Sequence, residues 1–89
     1  MQELRKIVSH SYHIEEYGHI ESKLAAVLKE RNITRNALKE LTGVKYDVIT
    51  RYYKNEGIER IDLDVLSKFC YALNCDISDL LQYHEPEQK

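Results

Sequence analysis

Ile33-Thr34-Arg35-Asn36-Ala37-Leu38-Lys39-Glu40-Leu41-Thr42-Gly43-Val44-Lys45-Tyr46-Asp47-Val48-Ile49-Thr50-Arg51-Tyr52-Tyr53-Lys54-Asn55 is the stretch that decides the fold. It reads as two short helices joined by a tight corner. Thr34 suits an N-cap, because its hydroxyl can accept from a free N–H of the first turn. Ala37, Leu38 and Leu41 are spaced for one apolar face. Gly43 follows directly, where a left-handed residue ends a helix at little cost, and Val44 turns into the corner. On the second helix Ile49 and Tyr52 point inward, with Val48 on the flank. Asp47, Thr50, Arg51 and Lys54 recur at helical spacing and form a polar outer stripe.

Working outward, Ile20, Leu24, Val27 and Leu28 predict a helix over residues 20–32, closed by Asn32. Before it, Leu4, Ile7, Val8 and Tyr12 are spaced for a short amphipathic helix, and an untethered arm fits residues 1–17 equally well. After the second helix, Ile58-Glu59-Arg60-Ile61 reads as a short extended connection. Asp62 caps a further helix whose seam is Leu63, Leu66, Cys70 and Leu73, widened by Val65 and Phe69, with Asn74 at its end. Ser78 is expected to cap a last short helix bearing Leu80 and Leu81, with Ile77 as the apolar residue before the cap. The expected fold is all-α. Five helices occupy residues 18–83, preceded by an extension over 1–17 and followed by a flexible tail over 84–89.

The chain has 89 residues, 43% hydrophobic and 31% charged, which bounds it to one small globular domain. It has no apolar run near the length of a membrane span. Met1 to Ile7 lack the apolar stretch of a secretory signal, so a cytoplasmic location and no membrane partner are expected. Cys70 and Cys75 could pair, but a lone C-x4-C is neither a disulfide framework nor a zinc pattern, and Cys70 reads as a small buried hydrophobe. His10 and His13 could share a metal at helical spacing, with His19 nearby. No carboxylate or cysteine completes a site by spacing, so neither metal nor cofactor is expected. The chain offers no nucleophile–base pair at meaningful spacing and no glycine loop for phosphate, which argues against an enzyme and a small-molecule substrate.

Charge is unevenly placed. The net value is -2, yet residues 23–55 carry eight basic side chains against three acidic ones. A basic middle between acidic ends presents a local field that an anionic partner would meet.

The motifs Ile33-Thr34-Arg35, Leu41-Thr42-Gly43-Val44, Val48-Ile49-Thr50-Arg51, Arg60 to Leu66 and Ala72 to Leu81 together resemble the Cro/CI-type (XRE-like) helix-turn-helix regulators. The resemblance covers about residues 18–83. It implies a five-helix lambda-repressor-like domain that binds double-stranded DNA with helix 45–55 in the major groove. It also implies a transcriptional regulator, expected to be a repressor of bacterial, phage or mobile-element origin. Matching positions carry base contacts at Tyr46, Asp47 and Arg51. Backbone contacts match Arg35, Thr50 and Lys54, and Lys45 and Arg60 join them as exposed cations. Four features depart from the family: Lys39 stands where a small residue usually packs between the helices, Lys45 replaces the usual serine or threonine cap, Tyr46-Asp47 is not the common glutamine-rich reading pair, and residues 1–17 have no counterpart in the minimal domain.

Arg51 is the strongest candidate reader, since a guanidinium fork spans guanine O6 and N7. Its bland alternative is a surface ion pair with Asp47 one turn earlier. A small single domain has too limited a footprint for tight specific binding alone. A homodimer on half-sites about 34 Å apart is therefore expected, with Phe69, Leu81 and Tyr83 as candidates for the pairing surface. The alternative is an antitoxin-like or inhibitory protein-interaction module on the same scaffold, favoured by the acidic balance, Asp47 and the unmatched arm.

Overall fold

The computed structural model describes residues 16–86. The readings on Leu4, Ile7, Val8, Tyr12, His10 and His13, and on residues 87–89, lie outside the described residues. The element order is β1 (His19–Ser22), α1 (Leu24–Arg31), α2 (Arg35–Thr42), α3 (Tyr46–Lys54), α4 (Leu63–Leu73), α5 (Ile77–Leu80) and β2 (Leu81–His84). No helix among the described residues is long and apolar enough to cross a membrane.

Local chemistry explains the helix ends. The Thr34 hydroxyl accepts the Ala37 N–H at 3.0 Å. The Asp62 carboxylate accepts from both Asp64 and Val65. Asn32, Asn55, Asn74 and Gly43 all end helices in the left-handed region, where asparagine and glycine suffer least. At the corner, the Thr42 hydroxyl donates to the Leu38 carbonyl and accepts the Val44 N–H. That latch holds Val44 buried under the turn.

The core is built from Leu24, Val27 and Leu28 of α1, Leu38 of α2, Val44, Ile49 and Tyr52 of α3, Leu66, Phe69 and Leu73 of α4, and Leu80. The Tyr52 and Phe69 rings meet edge-on with centroids 5.5 Å apart. Arg31 ends α1 by donating to the Leu73 and Asn74 carbonyls, so a cation closes the negative end of α4.

The expectation of an all-α fold is corrected by a two-stranded antiparallel sheet, in which Ile20 pairs with Tyr83 and Ser22 with Leu81. Residues 20–22 continue the apolar spacing of α1 but do not join that helix. Ser22 is instead pinned: its hydroxyl donates to the Tyr52 carbonyl at 2.7 Å, and its N–H to Asn55 Oδ1 at 3.0 Å. The strand so fixed takes up the end of the chain. Leu81 belongs to β2 rather than the last helix, and His84, expected in the tail, is the last strand residue. The last helix starts after Asp76, whose N–H donates to the Asp79 carboxylate, so Ser78 is not its cap. Leu41 (61% exposed) and Leu63 (75%) lie outside the core they were expected to join. Phe69, a candidate for a pairing surface, is wholly buried and cannot serve as one.

Gly18 precedes β1 with φ +80°, and a Cβ there would stand 2.1 Å from the His84 carbonyl oxygen. Gly18→Ala should therefore force the strands apart and cost about 1–3 kcal/mol, read as a lower thermal midpoint.

Candidate nucleic-acid interface

Helix α3 carries two distinct exposed faces. Asp47, Arg51 and Lys54 follow one outward line. Tyr46, Thr50 and Tyr53, spaced i, i+4, i+7, form a second line beside it. The buried line is Ile49 and Tyr52, so the register expected of this helix holds.

The second line is occupied by Arg35, the first residue of α2. Its guanidinium lies 4.4 Å from the Tyr53 ring centroid and 5.4 Å from that of Tyr46. Its Nη1 donates to Thr50 Oγ1 at 3.3 Å. Tyr46 and Tyr53 are 41% and 36% exposed, so Arg35 is held between two half-open rings. This arrangement braces the start of α2 against the length of α3. Residue-by-residue reading missed it. The signal was the i, i+4, i+7 spacing of Tyr46, Thr50 and Tyr53, which lines them up to receive one partner. A cation–π contact near the surface contributes about 0.5–1 kcal/mol. Arg35→Ala should cost about 1 kcal/mol of stability. Arg35→Lys should recover little of it in chemical denaturation, because an ammonium does not stack as a flat fork does.

The first line is free. Among the described residues Arg51 makes no ion pair, to Asp47 or to any other acid. The same holds of Lys45, Lys54 and Arg60, all exposed. Arg51 and Arg60 both line an open hollow with Val48, Gly57, Ile58 and Ile61. The aliphatic part of Arg51 runs past Gly57, 3.6 Å from where a Cβ would sit. The guanidinium is thus steered by packing of its stem while its donors stay unpaired. At the other end of α3, Lys45 gives no side-chain cap, and Asp47 lies in the first turn, where a carboxylate favours the positive end of the helix. Lys39, at the interhelical position, turns its ammonium outward to Glu40 at 3.8 Å, so its stem can pack while its charge stays in water.

These residues can present unpaired cations and one unpaired guanidinium fork on a helix that is fixed at both ends. The corner fixes its start, and Ser22 holds its last turn through the Tyr52 carbonyl and the Asn55 side chain. Among the described residues no group of three or more histidine, cysteine or acidic side chains could hold a metal ion.

The family model for the Cro/C1-type HTH DNA-binding domain matches residues 23–86. No curated protein matches the sequence at a significant level. Solved structures similar to the chain include the following two. One is a protein from Bacteroides fragilis titled as a candidate DNA-binding protein: 28% identity, TM-score 0.62, covering 72% of this chain and 100% of that one. The other is the transcriptional regulator VanUg: 28% identity, TM-score 0.63, covering 88% of this chain and 99% of that one.

Proposed function

Since the chain belongs to the Cro/C1-type helix-turn-helix DNA-binding domain family, we propose that it is a sequence-specific transcriptional regulator that lays α3 in the major groove. The observation that carries this reading is the outer line of α3, where Arg51 and Lys54 stand unpaired on a helix anchored at both ends. In this reading Arg51 reads a guanine through O6 and N7. Tyr46 and Asp47 lie against neighbouring bases at the start of the helix. Lys45, Thr50, Lys54, Arg60 and the free nitrogens of Arg35 meet the phosphates. Such contacts set the register of the helix without reading sequence.

One small domain touches few base pairs, so the active form proposed is a homodimer on two related half-sites. Leu81 and Tyr83, at the domain's exposed sheet, remain candidates for the pairing surface. The proposed mode is repression, with the bound domain occupying its site on the DNA.

A titration against random-sequence duplex tests the DNA-binding claim itself. Four cations meeting phosphates give a log–log salt slope near -3.6 per protomer, so affinity should fall about 100-fold between 50 and 200 mM salt. An absence of binding at 50 mM salt contradicts the proposal and favours a protein-interaction role for the same scaffold.

A further inference from the structure

Helix α4 ends on a left-handed residue, Asn74, with φ 52° and ψ 53°. The Cys75 N–H donates to the Cys70 carbonyl at 3.1 Å, and the Asn74 N–H to the Tyr71 carbonyl at 3.3 Å. In a helix ending of this kind, the residue after the left-handed one and the residue five before it bring their side chains together. Here both are cysteines. Both thiols are free and only half-buried, and both residues pack against the margin of the core. The Cys75 N–H to Cys70 carbonyl bond sets the two residues side by side. Two sulfurs without a third ligand make no metal site among the described residues. The pair lies outside the corner and outside α3, so the DNA-binding reading does not account for it.

We propose that Cys70 and Cys75 are a reversible disulfide-forming site, with a low-molecular-weight disulfide such as oxidised glutathione as co-reactant. Cys70, as thiolate, attacks one sulfur of glutathione disulfide. That S–S bond breaks, one glutathione thiolate leaves, and a mixed disulfide forms on Cys70. Cys75 then gives its proton to solvent and attacks the Cys70 sulfur, expelling the second glutathione. Two protein thiols are oxidised to one disulfide, and one glutathione disulfide is reduced to two thiols. Burial first, then Cys70 and Asp79, push the Cys75 thiol above its ordinary range, against a smaller opposing pull from Arg31. The bond closes the end of α4 at the two carbonyls, of Leu73 and Asn74, that receive Arg31 of α1.

The test equilibrates the full chain with graded ratios of reduced to oxidised glutathione, then alkylates free thiols and weighs the products. It is run with the protein folded and in concentrated urea. The folded cap holds the thiols together and the unfolded chain does not. The folded protein should therefore reach half-oxidation at a glutathione ratio at least about tenfold more reducing than the unfolded chain. The product should be a monomer that has lost two hydrogens, while Cys70→Ser and Cys75→Ser should each stop at a single glutathione adduct. The proposal is overturned if the wild type ends as a mixed disulfide or a cross-linked dimer. Equal half-oxidation ratios in the folded and unfolded states overturn it too.

Discussion

Phe69→Ala is expected to remove about 3–5 kcal/mol of stability, the range for emptying a well-packed aromatic site. Phe69 has no exposed surface and meets the Tyr52 ring edge-on. Tyr52 in turn accepts the Asp62 N–H on its hydroxyl and has its carbonyl held by Ser22. The cavity would therefore open beside the residue that ties α3 to β1 and to the start of α4. A domain this small has about 5 kcal/mol in hand, so the variant should be largely unfolded near 37 °C by circular dichroism. Phe69→Leu keeps most of the volume and should cost no more than about 1.5 kcal/mol. A Phe69→Ala protein that keeps its melting temperature but loses self-association would show that the residue faces a partner instead.

Arg51→Ala should weaken binding to a preferred duplex by about 10- to 100-fold, the equivalent of one bidentate base contact at 1–3 kcal/mol. Affinity for random duplex should fall far less, since Lys45, Lys54 and Arg60 keep their charges. The exposed Arg51 side chain forms no ion pair among the described residues, so its removal should leave stability within about 0.5 kcal/mol. That combination separates a reading residue from a structural one. Arg51→Lys should keep the salt slope but lose the base preference, because a single ammonium cannot present the planar fork.

The parts of the fold legible in the sequence are those decided within a few residues. Thr34, Gly43, Asp62 and Asn74 act on backbone groups no more than five positions away, so each cap can be read from its neighbours. The strand over His19–Ser22 depends on a partner strand, Leu81–His84, at the far end of the domain and on Ser22 meeting the end of α3. Ile20, one turn before Leu24, imitates a helix and hides that pairing. Leu41 and Leu63 fit an apolar spacing, yet each falls at the edge of its face and stays in water. The polar line of α3 was legible because helical period alone sets it. The Arg35 brace was only half legible: the spacing of Tyr46, Thr50 and Tyr53 lines up a receiving face, but nothing local says which residue of α2 fills it.

Selection of bound duplexes from a random pool, run in parallel on the wild type and on Arg51→Ala, tests most directly whether α3 reads DNA. The account predicts a two-fold-related motif for the wild type and loss of preference at one guanine per half-site for the variant. An unenriched pool, or a motif unchanged by Arg51→Ala, would contradict it.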